Sequence, residues 1–279
     1  MKVSIIGLGL IGGSMAIALK ELSIAKTILG VEANEKHALI ALEKGLVDEV
    51  VSLEEAILNS EFIIMAIPVD EIEKLLPFIL DKITKQVVIE VGSIKSGIIE
   101  VIKDHPNRKR FVATHPMWGT EYSGPEAAIS GAFKGKAVVI CDIDKADKDA
   151  GEMVKDLYRK LGMQPLYMNA DEHDIHVAYV SHISHITSFA LANTVLEKER
   201  EEDAIFSLAS GGFESTVRLA KSNAAMWVPI FMQNRENVLD VLNEHISQLR
   251  KFKSCLEKEN YNYLQELIEK ANRIKNIIK

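Results

Sequence analysis

Lys2-Val3-Ser4-Ile5-Ile6-Gly7-Leu8-Gly9-Leu10-Ile11-Gly12 is the stretch on which the fold turns. Val3–Ile6 has the β-branched character of a first strand, and Ile11–Leu22 reads as the helix that follows it. A Gly-x-Gly-x-x-Gly spacing is weak evidence alone, but between a strand and a helix each glycine has its own duty. Gly7 permits the tight turn, Gly9 has no Cβ to keep a pyrophosphate away, and Gly12 lets the helix pack close to the strand. Leu8, Leu10 and Ile11 complete the loop, and the helix N-terminus offers free N–H groups to phosphate. Glu32, at the end of the next candidate strand, can accept from ribose hydroxyls and would repel a 2′-phosphate, which favours NAD over NADP. The plainer alternatives are a tight turn without ligand and a solvated strand-end glutamate.

Working outward, short β-rich runs alternate with helix-length amphipathic stretches. Candidate strands are Lys2–Ile6, Ile28–Val31, Phe62–Ala66, Gln86–Glu90, Phe111–Thr114 and Ala137–Ile140. Candidate helices are Ile11–Leu22, Glu35–Lys44, Asp70–Leu80 and Ser96–Lys103. Several strands are apolar throughout, as in a sheet covered on both faces, and the βα alternation predicts a parallel, doubly wound α/β sheet. The texture changes near Tyr167. Val177–Leu196 reads as one long helix, and Val238, Leu242, Ile246, Leu249, Phe252 and Leu256 form an apolar stripe at steps of three and four. Leu264, Leu267, Ile268, Ala271 and Ile274 repeat the pattern. We therefore expect a Rossmann-type domain over residues 1–167 and an all-α domain over residues 168–279. The helical stripes exceed what one chain can cover, which predicts a homodimer through them.

Composition narrows the function classes. Of 279 residues, 47% are apolar and 26% charged, which excludes a disordered chain, a fibre and a disulfide scaffold. With 33 basic against 40 acidic side chains the formal charge is −7, without the basic surplus that nucleic acid requires. The longest apolar run, Phe62–Val69, is far shorter than a membrane span. Cys141 and Cys255 have no partner at metal or redox spacing and read as buried thiols. The start of the chain reads as a strand and not as a signal peptide, so a cytoplasmic protein is expected.

Chemistry-bearing residues fall at the ends of the candidate strands, where open α/β sheets bind their ligands. Pro68 closes one strand, and Ser93 follows another in Gly92-Ser93-Ile94-Lys95; both are placed near the nicotinamide end, with turn chemistry as the alternative. His115, in Thr114-His115-Pro116-Met117-Trp118-Gly119-Thr120-Glu121, faces the same crevice and has the pKa of a general base. By spacing alone a strand-end histidine is more often structural. His173, His176, His182 and His185 crowd together, but at 100° per residue one helix sets the first two on one face and the last two opposite. That argues against a metal site and suggests that one pair touches the crevice. Ser210-Gly211-Gly212-Phe213 breaks into a helix carrying Arg218, a candidate clamp for a substrate carboxylate. Its alternative is a surface salt bridge.

Taken together, these motifs resemble the prephenate/arogenate dehydrogenase family. The likeness covers almost the whole chain: GLGLIGGS at Gly7–Ser14, GSIK at Gly92–Lys95, HPMWGTEYSG at His115–Gly124, HD at His173-Asp174, SHISH at Ser181–His185, SGGF at Ser210–Phe213 and TVRLAKSNAAMW at Thr216–Trp227. The resemblance implies NAD-linked oxidative decarboxylation of prephenate to 4-hydroxyphenylpyruvate. It implies that His115 hydrogen-bonds the substrate's C4 hydroxyl, that Ser93 links that histidine to the nicotinamide region, and that Arg218 holds the ring carboxylate. His185, Thr120, Glu121, Gly212 and Trp227 match positions that line or support the substrate pocket. A fused mutase segment and a regulatory domain are expected to be lacking, so inhibition by tyrosine would act at the pocket itself.

Arogenate remains an open substrate at this stage. Two other readings compete: a β-hydroxyacid-type dehydrogenase using a lysine such as Lys221, and an NAD-sensing regulator. Neither accounts for His115 and Arg218 together.

Overall fold

The computed structural model describes residues 1–199 and 205–277. The chain packs as two compact units, Met1–Asn234 and Arg235–Lys279.

The first unit begins with β1 (Lys2–Ile6), α1 (Leu10–Glu21), β2 (Thr27–Val31), α2 (Glu35–Glu43), β3 (Glu49–Val50), α3 (Leu53–Asn59), β4 (Phe62–Met65), α4 (Val69–Lys82), β5 (Val87–Glu90), α5 (Ser96–Glu100) and β6 (Phe111–Pro116). It continues through β7 (Ala137–Cys141), α6 (Lys148–Lys160), β8 (Gln164–Met168), α7 (Ala170–Val177), α8 (Ile183–Glu199), α9 (Gly211–Val217) and α10 (Ala224–Gln233). The strands form one eight-stranded sheet in the order β3-β2-β1-β4-β5-β6-β7-β8. The order reverses at β1, which pairs in parallel with both β2 and β4, so that Val3 sits opposite Ile28 on one side and Phe62 on the other. That reversal opens the ligand crevice above the carboxyl ends of β1 and β4.

The central strands are apolar on both faces because both are covered. Val3, Ile5, Phe62, Ile64, Val87 and Ile89 face one way, onto Met15 and Leu19 of α1 and Val154 and Leu157 of α6. Ile6, Ile63, Met65 and Val88 face the other way, onto Ile72, Leu76 and Ile79 of α4 and Ile98 of α5. This is the period-two alternation of a buried parallel strand.

The expectation of a wholly parallel sheet fails at one pair: β6 and β7 run antiparallel, with His115 opposite Val139. A parallel partner needs a crossover helix, and the 117–136 connection holds only a single 3₁₀ turn at Pro125–Ala127. The helix expected over Val177–Leu196 is present, but it is not uniform. A π-type turn at Ala178–His182 separates α7 from α8. The second unit comprises α11 (Arg235–Glu257) and α12 (Tyr261–Asn272), joined by a turn in which Glu259 takes φ +49° and Asn260 caps α12 by accepting from the Tyr263 N–H.

Candidate active site

The glycine loop is built as its spacing requires. Gly7 takes φ +92°, and its N–H donates to the Val31 carbonyl at 2.8 Å. A Cβ on Gly12 would lie 1.9 Å from the Gly7 oxygen, so only glycine lets α1 start this close to the strand. A Cβ on Gly9 would meet nothing within 4 Å, and that open space lies over the N-terminus of α1, where no acidic side chain occupies the first turn. Leu8 is buried, and its N–H donates to Glu32 Oε2 at 2.9 Å, while the Asn34 N–H donates to Oε1 at 3.0 Å. Glu32 is thus pinned at the strand end with a lone pair free on each oxygen. Glycine cradle, bare helix terminus and fixed carboxylate fit a dinucleotide.

Beyond the loop lies a cavity of about 640 Å³ within the first unit. Gly9, Leu10 and Ile11 line one end, with Pro68 and Ser93 beside them; His115, Thr120, Glu121, His185, Arg218 and Trp227 line the rest. Gly7 and Gly12 support this wall from the turn, and Glu32 lies outside the lining. Gly212 also lies outside it, exposed in the first turn of α9, where its carbonyl accepts from the Ser215 and Thr216 hydroxyls. Arg218 Nη1 donates to Glu121 Oε2 at 2.7 Å. His185 stacks on Trp227 with ring centroids 3.5 Å apart, and its Nδ1 lies 3.1 Å from the Ser181 carbonyl.

His115 projects from β6 to a buried partner. Its Nδ1 lies 2.8 Å from Nε2 of His173, whose own Nδ1 lies 2.7 Å from Oδ1 of Asp174. The start of α7 sets this up: Asn169 and Glu172 form a reciprocal capping box that fixes the first turn and sends His173 and Asp174 inward. The Asp174 carboxylate also accepts the N–H of Lys95 on Oδ1 and of Ser96 on Oδ2, both at 2.8 Å. Beneath them, the fully buried Lys95 ammonium meets Glu90 Oε1 at 2.5 Å and the Gly92 carbonyl at 2.8 Å. Glu90 takes two further donors, the N–H groups of Gly92 and Thr114.

Burial moves the inward-facing imidazoles towards the neutral form. Burial, then His173 and the Lys95 charge, hold His115 well below the ordinary histidine value. Burial likewise lowers His173 against the pull of Asp174. Burial pushes Asp174 up, but the hydrogen bonds from His173 and Ser96 outweigh it and hold the carboxyl below its usual value. His182, buried against Trp227 and Phe231, is lowered to about 4 by burial.

The expected pairing of the four histidines is corrected here. His173 is buried on His115 while His176 stays exposed on the Glu172 carbonyl; His185 lines the cavity while His182 packs behind it. The π-type turn shifts the phase between the two pairs, and the capping box decides which of the first pair turns inward. Among the described residues no group of three or more His, Cys, Asp or Glu side chains is placed to hold a metal ion. Nor does a hydrogen bond join Ser93 to His115; the two share the cavity wall. Sequence reading does not assign the His173-Asp174 support, because His173 acts on a histidine 58 residues away, nor the Glu90–Lys95 pair, whose two members lie in a strand end and the loop after it with no periodic signal between them.

Comparison with known proteins gives this arrangement its family. The model of the prephenate dehydrogenase nucleotide-binding domain matches residues 15–166, and that of the prephenate dehydrogenase dimerization domain matches residues 169–270. Prephenate dehydrogenase of Bacillus subtilis is 30% identical over 258 residues, covering 91% of this chain and 70% of that protein. Cyclohexadienyl dehydrogenase of Zymomonas mobilis is 26% identical over 280 residues, covering 99% and 96%. Prephenate dehydrogenase of Aquifex aeolicus, solved with hydroxyphenyl propionate and NAD+, superposes with a TM-score of 0.88 at 28% identity, covering 100% of this chain and 98% of that one. With two family models spanning nearly its whole length, the chain belongs to the prephenate dehydrogenase family.

Proposed function

We propose that this protein catalyses the NAD-linked oxidative decarboxylation of prephenate to 4-hydroxyphenylpyruvate. One observation carries the reading: a neutral histidine opens into a single cavity that runs from a dinucleotide-type glycine loop to an arginine. Bound NAD, held by Gly7–Gly12 and Glu32 with Pro68 and Ser93 near the nicotinamide, supplies the hydride acceptor.

His115 is the catalytic residue. Its Nε2 accepts the C4 hydroxyl proton as hydride leaves C4, which makes that carbon a carbonyl. The ring carboxylate then departs as CO₂, and the electrons of the broken bond make the ring aromatic and leave a phenolate. His115 returns the same proton to that oxygen, so the protein neither gains nor loses one. Aromatisation drives the step, and no covalent nucleophile is needed. Alignment of C4 by Arg218, Thr120 and the His185–Trp227 wall is worth up to ~7–11 kcal/mol. Proton transfer at His115 adds ~10²–10⁴-fold in rate.

The same reading assigns residues 1–167 to the nucleotide domain and 168–279 to the helical one, a division supported by family-model matches over 15–166 and 169–270. A homodimer through the C-terminal helices accords with the dimerization-domain match and with the exposed Leu239, Leu249, Leu256, Tyr261 and Ile268. No helix among the described residues is long and apolar enough to cross a membrane, in keeping with a cytoplasmic enzyme. Tyrosine, a phenol with the product's skeleton, is a competitive inhibitor at the pocket; failure to compete with prephenate would end that idea. The deciding experiment follows absorbance at 340 nm with NAD or NADP against prephenate or arogenate. NAD with prephenate should give the highest kcat/KM, and faster turnover of arogenate would reassign the substrate.

A further inference from the structure

The support beneath His115 says more than that the side chain is buried. His173 is fully buried and Asp174 nearly so, with their exposures at 0% and 4%. Asp174, with three donors on its two oxygens, is a carboxylate that can only accept. His173 must therefore carry its proton on Nδ1. A neutral His173 then has a lone pair on Nε2, and only an N–H can face that lone pair at 2.8 Å. The proton of His115 is consequently on Nδ1, and its base lone pair on Nε2. Asp174 does a second thing: through the N–H groups of Lys95 and Ser96 it grips the loop that carries Ser93.

We propose that His173 and Asp174 are positioning residues, which fix His115 in the tautomer whose Nε2 can take a substrate proton and tie that base to the Ser93 loop. The chain of acceptors runs in one direction only. Asp174 decides the tautomer of His173, and His173 decides that of His115. Without it the two tautomers of a neutral imidazole lie close in energy, and a large share of the molecules would present an N–H to the hydroxyl instead of a lone pair. The inference rests on His115 being the base of the proposed reaction, but the tautomer itself does not depend on any substrate.

The test compares the wild type with His173→Gln, His173→Leu and Asp174→Asn, read in two ways. Ring ¹⁵N resonances of the substrate-free protein report the tautomer. In the wild type His115 should show a protonated Nδ1 and a bare Nε2. His173→Gln, whose side-chain oxygen can replace the Nε2 acceptor, should keep that pattern, whereas His173→Leu and Asp174→Asn should mix the tautomers. Steady-state kinetics should follow: kcat for prephenate falls by about 100-fold in His173→Leu and Asp174→Asn, with KM for prephenate and NAD within about threefold, and His173→Gln recovers most of the loss. A wild-type His115 protonated on Nε2 would overturn the proposal, as would a His173→Leu variant with unchanged kcat. Should His173→Leu fail to fold, the wild-type and His173→Gln spectra still decide the matter. The expected spectra without turnover of any cyclohexadienyl substrate would support the tautomer lock and count against the proposed reaction instead.

Discussion

Arg218 Nη1 donates to Glu121 Oε2 across 2.7 Å, joining residues 97 positions apart in the chain at the rim of the cavity. The guanidinium has five N–H groups and is half exposed, so this bond leaves most of its fork for an incoming carboxylate. Arg218→Ala should therefore raise KM for prephenate by roughly 10- to 100-fold, the range of a charge-assisted pair, with a smaller change in kcat. Steady-state kinetics check this, and an unchanged KM would remove Arg218 from the role of clamp.

His115→Asn keeps a polar side chain but loses the base. We expect kcat to fall by about 10²–10⁴-fold with KM for prephenate little changed. The base works only when neutral, and burial has moved its titration well below the ordinary value. Activity should thus hold through neutral pH and fall only on the acid side of the usual histidine range. A pH profile of kcat/KM with an acid limb above that range would contradict the assignment.

Two glycines three residues apart should respond differently to one methyl group. In Gly12→Ala the new Cβ would strike the Gly7 oxygen, so the protein should lose stability, visible as a lowered Tm. In Gly9→Ala the Cβ meets no protein atom, so Tm should hold while NAD affinity falls. Thermal melts with and without NAD separate the two; a Gly9→Ala protein binding NAD normally would place the pyrophosphate elsewhere.

Acid should unfold the first unit through its buried imidazoles. His115, His173 and His182 all titrate lower in the folded chain than in the unfolded one, with His182 at about 4. As pH falls from about 6.5 towards 4, the unfolded state binds the extra protons, so stability declines over that window. Urea midpoints measured at intervals from pH 7 to pH 4 should fall steadily, and His182→Phe should flatten part of the slope.

Much of this architecture was legible. The apolar runs gave β1, β4 and β5 nearly to the residue, because a strand buried on both faces can tolerate little else. Other elements left fainter marks. β3 spans only Glu49–Val50, and β8 is a mostly exposed edge strand holding Gln164 and Pro165, so neither shows an apolar run. α6 does carry a helical stripe, Ala150, Val154 and Leu157 at steps of four and three, but its many charged residues hide it from a reading led by apolar runs. Pro68, Ser93 and His115 are legible at strand ends and Arg218 on its helix entry, whereas Thr120, Glu121, His185 and Trp227 are legible only through the family resemblance. His173, by contrast, lies 58 residues from His115, and nothing in local periodicity connects them. The sequence placed the four histidines on one uninterrupted helix, and the π-type turn at Ala178–His182 removed the premise of that geometry.

The floor under His115 has a consequence for traffic with the solvent. Its Nδ1 is covered by the fully buried His173 ring and the residue lines the cavity, so a substrate filling that cavity should keep buffer from the imidazole. Turnover at saturating substrate should then be indifferent to the concentration and identity of the buffer at fixed pH. A rate that climbed with added imidazole or phosphate would mean that the chamber leaks.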